Sequence, residues 1–158
     1  MSRPVVEIRP VEPDDIEWFA VNLRPQDVAE ARASGFDDLA QGLRRSVSEA
    51  VFARVALING ERVAIGGCGE WAQSALVVNG VPWLVGTPGL TRHGRVLQRE
   101  ARRYIGAMLE RYPRLINLVH ADNRVAIRWL QRMGFVIHAQ SVPYGPHNAP
   151  FHFFEMRA

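Results

Sequence analysis

The sequence predicts an α/β fold, with helices on both faces of a central mixed β-sheet. Short apolar runs typical of strands alternate with segments whose apolar residues recur every three or four positions, as in amphipathic helices. Two Asn-Gly pairs separate apolar runs in the middle of the chain, a pattern typical of hairpins. Leu115–Ala121 is a short apolar run of the kind that forms a buried strand, and a capped helix follows it directly. At 158 residues the chain suits one domain, residues 1–158, with a single core.

The chain is expected to begin with one strand and three helices. Val5–Arg9 alternates apolar and polar residues, as a strand with one buried face does. The boundaries that follow use Asp, which accepts hydrogen bonds from the free amides of a helix start, and Pro, which tolerates the first helical turn. These residues are Pro10, Pro13, Asp14, Asp15, Pro25 and either Asp37 or Asp38, and Gly35 is expected to end the second helix.

Four apolar runs in the middle of the chain predict two hairpins, because Asn and Gly both accept the positive φ angles of tight turns. The first hairpin would turn at Asn59-Gly60 and the second at Asn79-Gly80. Glycines that crowd the end of the second run predict a bulge or a close backbone approach. The runs are Val51–Ile58, Arg62–Gly66, Ala75–Val78 and Val81–Val85, and the glycines are Gly66, Gly67 and Gly69.

A long helix is expected from about Arg92 to Tyr112, where Pro113 stops it. Further strands are expected at Val136–Val142 and Phe151–Met156, on either side of a loop rich in Pro, Gly and His.

The stretch Asn123–Phe135 has the most definite local signature. Asp122 and Asn123 can cap the first amides of a helix, and Gly134 stands where a left-handed residue ends one. Apolar residues at helical spacing form one face of this helix: Ala126, Ile127, Trp129, Leu130 and Met133.

This order of strand, Asn, amphipathic helix, Gly-Phe and strand resembles the C-terminal motif of the GCN5-related N-acetyltransferase (GNAT) superfamily. The opening IRPVEPDDI also looks like the start of many members. The resemblance implies the GNAT fold, in which the strand near Val81–Val85 and the strand Leu115–Ala121 are parallel neighbours that splay apart. In that fold the gap holds the pantetheine arm of acetyl-CoA. The positions that fit the motif are Asn123, Ala126, Ile127, Arg128, Gly134 and Phe135.

The resemblance places a pyrophosphate site in the turn Gly86–Arg95, where members carry Q/R-x-x-G-x-G/A. Free amides and the dipole of a helix N-terminus favour phosphate there. This chain keeps Arg92 and Gly94 but lacks the second glycine, so a plain strand-to-helix loop with two exposed arginines is the alternative. The expected acetyl-CoA contacts are Val85, Gly86, Thr87, Arg92, Gly94, Arg95, Asn123 and Ala126.

Three residues are candidates for proton transfer. An amine nucleophile must lose a proton, so a carboxylate or His near the cleft can act as base. Glu70 follows the glycine-rich strand, and His120 ends the strand expected to splay; the alternatives are a solvated turn residue and a hydrogen-bonded core His. In the family the general acid is usually a Tyr seven residues after the Asn, where this chain has Leu130. Tyr144, in the Pro- and Gly-rich loop, is the remaining candidate acid.

The composition of the chain argues against several classes of protein and of binding site. The net charge of +3 comes without a dense basic patch interleaved with aromatics, so nucleic acid is not an expected partner. No run approaches the roughly 20 apolar residues that span a bilayer, the N-terminus lacks a secretory apolar region, and a single cysteine suggests a reducing, cytoplasmic location. His147 and His152 lack metal-ligand spacing with a third residue, so no metal is expected.

A subgroup of the superfamily, phage proteins of the internal-virion-protein A type, resembles this chain more closely. Shared features are the IRP opening, Glu30–Gly35 (EARASG), Ala64–Gly67 (AIGG), Trp83 in a strand, and Met108–Tyr112 (MLERY). Two hypotheses follow. The protein is an N-acetyltransferase that acts on an amine of a small molecule or a protein, or it is a non-catalytic virion or assembly protein that contacts other phage structural proteins in the host cytoplasm or the virion.

Overall fold

The computed structural model describes residues 2–158 and contains one eight-stranded mixed sheet, which confirms the predicted α/β class. The strands are β1 (Val6–Pro10), β2 (Phe52–Ile58), β3 (Glu61–Ala72), β4 (Val78–Gly86), β5 (Arg114–His120), β6 (Val136–Ile137), β7 (Val142–Tyr144) and β8 (Ala149–Arg157). The helices are α1 (Pro13–Ala20), α2 (Pro25–Ala33), α3 (Leu39–Glu49), α4 (Pro88–Arg92), α5 (Gly94–Arg111) and α6 (Arg124–Met133). The strand order across the sheet is β1-β2-β3-β4-β5-β8-β6, and β7 pairs with β8.

Helices pack on both faces of the sheet, as the alternation of side chains along β3 shows. Ala64 packs with Leu90 and Leu97 from α4 and α5. The next residue, Ile65, faces the other way and packs with Phe19 of α1, in a cluster that α3 also joins. A third cluster lies where α5 and α6 cover β5, and contains Met108, Tyr112, Leu115, Val119, Leu130 and Met133.

Helix α6 has the ends that the sequence predicts. The Asn123 side chain accepts a hydrogen bond from the Ala126 amide at 3.3 Å, as a cap does. Gly134 ends the helix with φ of 101°, in the left-handed region. Asp38 likewise caps α3 by accepting from the Gln41 amide at 3.1 Å.

The second predicted hairpin was wrong. Asn79-Gly80 lies inside β4, and the turn falls earlier, where the Gln73 amide donates to the Val77 carbonyl at 2.9 Å. Asn79 is buried, and a Cβ on Gly80 would lie 2.7 Å from side-chain carbons of both Leu115 and Tyr112. Here the glycine allows close packing and makes no turn.

Other predicted boundaries also changed. β3 continues through the glycines to Ala72, and Gly67 there permits a close approach, because a Cβ would lie 2.4 Å from the Phe52 carbonyl oxygen. The long helix predicted from about Arg92 to Tyr112 is α5, which begins at Gly94, and a short helix that was not predicted, α4, precedes it. The strand predicted at Val136–Val142 is split into β6 and β7. No helix within residues 2–158 has both the length and the apolar character needed to cross a membrane.

Candidate functional site

The central feature of the site is a gap between two parallel strands, β4 and β5. The two strands share one residue pair, Gly80 with Leu115, and no further main-chain pair follows among residues 2–158. Farther along, the Asn117 side chain spans the space, because its Nδ2 donates to the Pro82 carbonyl at 2.8 Å. Its Oδ1 accepts from the Leu118 amide at 2.8 Å. The splayed strands expected from the family resemblance are therefore present, and the Asn117 side chain bridges them close to the end where they still pair.

Helix α2 holds the open end of β4. The Gly86 amide donates to Asp27 Oδ2 at 2.9 Å, and the Gly86 carbonyl accepts from the Arg24 amide at 2.8 Å. The Arg24 guanidinium donates to both Asp27 oxygens, at 2.9 and 3.0 Å, and both side chains are buried. The last residue of β4 is thus fixed to α2 through the Asp27 carboxylate, whose charge the Arg24 guanidinium neutralises.

The same helix holds the open end of β5. Glu30, one turn after Asp27, accepts a hydrogen bond from the His120 amide at 2.6 Å through Oε1. Two carboxylates of α2 therefore contact the last residues of the two diverging strands. Glu30 was not among the candidates drawn from the sequence, although its spacing of three from Asp27 places both on one side of a helix.

Burial dominates the acidity of Glu30. Loss of hydration raises the pKa of this carboxyl to about 7, and the neighbouring Asp27 charge acts in the same direction. The His120 amide, the Asn123 side chain and Arg24 oppose the rise. Glu30 forms no ion pair with any other residue that the structure describes, in contrast to Asp27.

Asn123 is a buried residue beside Glu30. The residue is 4 % exposed, and its oxygen is engaged in capping α6. Its Nδ2 is buried, and the interaction of this side chain with the Glu30 carboxyl lowers the pKa of that group. Asn123 therefore links the start of α6 to α2 at the open end of β5. Ala126, also expected to contact the cofactor, is half-buried and packs against the cluster under β5.

The turn after β4 divides into a closed part and an open part. Thr87 is buried, its hydroxyl accepts from the Gly89 amide at 3.1 Å and its amide donates to the Val63 carbonyl at 3.0 Å. Val85 and Gly86 are the last residues of β4. Of the predicted contacts in this turn, these three therefore belong to the closed part.

The open part is the start of α5. The Leu97 amide donates to the His93 carbonyl at 3.1 Å, so the amides of residues 94–96 precede the first hydrogen bond of α5 and have no acceptor within α5 itself. A Cβ placed on Gly94 would meet nothing within 4 Å. Arg92 and Arg95 are exposed and form no ion pair among residues 2–158. These groups make an accessible, positively charged helix start that suits an anion.

The structure brings two of the three proton-transfer candidates together. The His120 and Tyr144 rings both pack on Phe151, with centroid separations of 5.0 and 5.2 Å. His120 Nδ1 accepts from the Asp122 amide at 3.1 Å, which leaves Nε2 to carry the proton of the neutral ring. Tyr144 is 44 % exposed, so its hydroxyl is accessible. His120, Tyr144 and Glu30 therefore lie around the open end of β5.

Glu70, the third candidate, lies elsewhere. It pairs with Gly80 in the β3–β4 ladder, at the closed end of the gap. Its carboxylate accepts from the Tyr112 hydroxyl at 2.6 Å and lies 3.5 Å from the Arg111 guanidinium. Burial and this carboxylate raise the pKa of Tyr112 to about 12. Glu70 is thus engaged in a local polar cluster away from His120 and Tyr144.

No family model and no curated protein sequence matches this chain. Solved structures do match it along nearly its whole length. A GNAT-family acetyltransferase from Streptococcus pneumoniae is 19% identical, with a TM-score of 0.60, over 97% of this chain and 99% of that one. An aminoglycoside N(6')-acetyltransferase from Legionella pneumophila is 13% identical, with a TM-score of 0.72, over 99% and 94%. A spermidine N-acetyltransferase from Vibrio cholerae, solved with CoA and spermine, is 11% identical, with a TM-score of 0.68, over 96% and 95%. The chain therefore has the GNAT acetyltransferase fold.

Proposed function

We propose that this protein binds acetyl-CoA and transfers the acetyl group to an amine. The observation that carries the proposal is the gap between β4 and β5, which are parallel, pair only at Gly80 and Leu115, and lead to the open start of α5. Solved proteins of this fold include complexes with CoA or a CoA-peptide conjugate, which supports the same co-substrate here.

The phosphates are assigned to the start of α5. The amides of residues 94–96 have no acceptor within α5, and the helix dipole favours negative charge at this end. Arg92 and Arg95 flank these amides and have no carboxylate partner among the described residues, so they are available for charge-assisted hydrogen bonds to phosphate.

The pantetheine arm is assigned to the gap itself. The Pro82 carbonyl and the Gly86 amide both point away from β3 and into the gap, and alternate residues of a strand share this direction. Leu84, which lies between them, therefore also turns its main chain towards the gap. The Asn123 side chain, beside Glu30, places an amide donor at the same end.

The acceptor is an amine of a small molecule or of a peptide. Transfer requires the amine to form a C–N bond with the thioester carbonyl while the C–S bond breaks, and the departing sulfur takes up a proton. Leu130, at the family's usual acid position, is buried and apolar, so it cannot donate that proton. Tyr144 is the accessible hydroxyl near the open end of β5 and is assigned the acid role.

Calorimetry and thermal shift with acetyl-CoA test this proposal. We expect micromolar affinity, and ligand at a hundredfold over Kd should add about 2.7 kcal/mol to the free energy of unfolding. Gly94→Asp should abolish binding, because it sets a negative charge beside the phosphates. Gly106→Asp is the matched control: a Cβ there also meets nothing within 4 Å, and it lies in the same helix about 18 Å away. Absence of any response up to millimolar acetyl-CoA would contradict the proposal.

A second candidate function is that of a non-catalytic virion or assembly protein of phage origin, the class suggested by the resemblance of the EARASG, AIGG and MLERY segments. One observation favours it: Asn117 and the carboxylates of α2 already engage the strand groups that face the gap. The β3–β4 turn adds exposed apolar surface at Trp71 and Leu76, which are 46% and 95% exposed and available to a protein partner. An absent acetyl-CoA response would select this candidate.

A further inference from the structure

We propose that Glu30 is the general base that takes the proton from the acceptor amine. The inference rests on the proposed acetyl transfer and names a residue of that site. Glu30 projects from α2 to the last residue of β5, where its Oε1 accepts from the His120 amide at 2.6 Å. It therefore lies at the open end of the gap, beside the group of rings formed by His120, Phe151 and Tyr144.

The hydrogen bonds around Glu30 fix its orientation. The His120 amide donates to Oε1 and the Asn123 side chain also interacts with this carboxyl, and a carboxylate can still accept a further hydrogen bond through its remaining lone pairs. Asn123 therefore places an amide donor beside a carboxylate acceptor at this corner of the site. The reactants match this pair of groups. The N–H of the acceptor amine can donate to the Glu30 carboxylate, and the thioester carbonyl can accept a hydrogen bond from the Asn123 amide.

The charges around Glu30 favour a base that is neither permanently ionised nor permanently protonated. Arg24 is bound to Asp27 through two hydrogen bonds, so its charge is already neutralised. The groups that face Glu30 are Asp27 from α2, Arg24 directly before α2, His120 from β5 and Asn123 at the start of α6. With its pKa raised to about 7 by burial, the carboxyl exchanges a proton near neutral pH, which suits a general base.

The proton-transfer step balances as follows. An N–H bond of the acceptor breaks and its proton passes to the Glu30 carboxylate, while the nitrogen lone pair forms the C–N bond. The C–S bond breaks and its electron pair leaves with sulfur, which takes a proton from Tyr144 or water. Glu30 then releases its proton to water, and a Tyr144 phenolate, where Tyr144 was the donor, regains a proton from water, so both side chains are restored.

Glu70 is the carboxylate that the sequence suggests for the same role, and it provides the matched control. Its carboxylate is held by the Tyr112 hydroxyl and lies 3.5 Å from Arg111, at the closed end of the gap. A substitution of Glu70 removes a carboxylate from the closed end of the gap and leaves the open end of β5 unchanged.

The test compares E30Q with E70Q in acetyl-CoA binding and in acetylation of three probes: spermidine, an aminoglycoside and a peptide with a free N-terminus. We expect E30Q to bind acetyl-CoA as the wild type does, to lose 10²-fold or more in kcat/KM at pH 7, and to lose the ionisation near pH 7 from its rate profile. E30D should keep that ionisation at a reduced rate, whereas E70Q should keep both rate and profile.

Each outcome decides between the two proposals. A wild type that does not bind acetyl-CoA, or that binds it and acetylates none of the probes, overturns acetyl transfer and the role of Glu30 together. Acetylation that E30Q performs within threefold of the wild-type rate, with an unchanged profile, overturns only the role of Glu30. If E30Q does not fold, E30D and ¹³C NMR titration of the wild-type glutamates decide, because the assignment requires a carboxyl that titrates near pH 7 and is perturbed by acetyl-CoA.

Discussion

Asp27 and Glu30, one helical turn apart on α2, each accept a hydrogen bond from the last residue of a different strand. Asp27 accepts from the Gly86 amide at 2.9 Å and Glu30 from the His120 amide at 2.6 Å. The helix thus sets the separation of β4 and β5 at the end where they are unpaired. The two carboxylates differ in charge environment, because only Asp27 has a cation bound to it.

Asp27→Ala tests the contribution of this arrangement to stability. The change leaves the buried Arg24 guanidinium without its carboxylate and the Gly86 amide without its acceptor. We expect the free energy of unfolding to fall by about 3 to 5 kcal/mol, measured by urea denaturation. Glu49→Ala is the control, since the exposed Arg45–Glu49 pair should contribute only about 0.5 kcal/mol. A loss of under 1 kcal/mol for Asp27→Ala would show that α2 does not hold β4.

Glu30 should make stability depend on pH. Its pKa is raised from 4.5 in the unfolded chain to about 7 in the folded state, so the folded state binds the proton more tightly. The stabilisation is therefore fully present below pH 4.5 and is lost as the pH rises through 7. The difference in unfolding free energy between wild type and E30Q should change by about 3 kcal/mol between pH 4.5 and 8, in favour of E30Q at the higher pH. Parallel curves for the two proteins would contradict the assigned burial of Glu30.

Two glycines should respond to alanine with opposite signs. Gly80→Ala places a Cβ 2.7 Å from carbons of Leu115 and Tyr112, so we expect a loss of about 1 to 3 kcal/mol in unfolding free energy. Gly106→Ala adds a Cβ in open space within α5. This change should raise the free energy of unfolding by about 0.5 to 1 kcal/mol. Thermal and urea unfolding of both variants measure the two effects. Equal effects of the two changes would mean that Gly80 does not pack as the structure has it.

Features decided by neighbouring residues could be predicted from the sequence. Helix α6 is an example, because Asn123 and Gly134 act on the helix that lies between them. Asn79-Gly80 carries the same local signal as a true turn, yet Tyr112 and Leu115, more than thirty positions later, bury it within β4. The local pattern therefore predicted a hairpin that the tertiary packing excludes.

In the candidate site, too, features set by neighbouring residues were predicted, and features set by distant residues were not. The parallel strands and the open start of α5 follow from local patterns and the family resemblance, and the structure contains both. Glu30 was missed because its partner, His120, is 90 residues away in sequence, and its burial exists only once α2 lies across β5. Glu70 attracted attention as a carboxylate after glycines, but its hydrogen bond with Tyr112 spans 42 residues and fixes it at the closed end.

The Asn117 bridge has a consequence for how the site can admit a molecule. The space between β4 and β5 is crossed there by an amide side chain, which is held by its bonds to the Pro82 carbonyl and from the Leu118 amide. Rotation of this one side chain about two single bonds removes the crossing and breaks no main-chain pair of the sheet. Entry therefore requires a change of one rotamer and leaves the strands where they are.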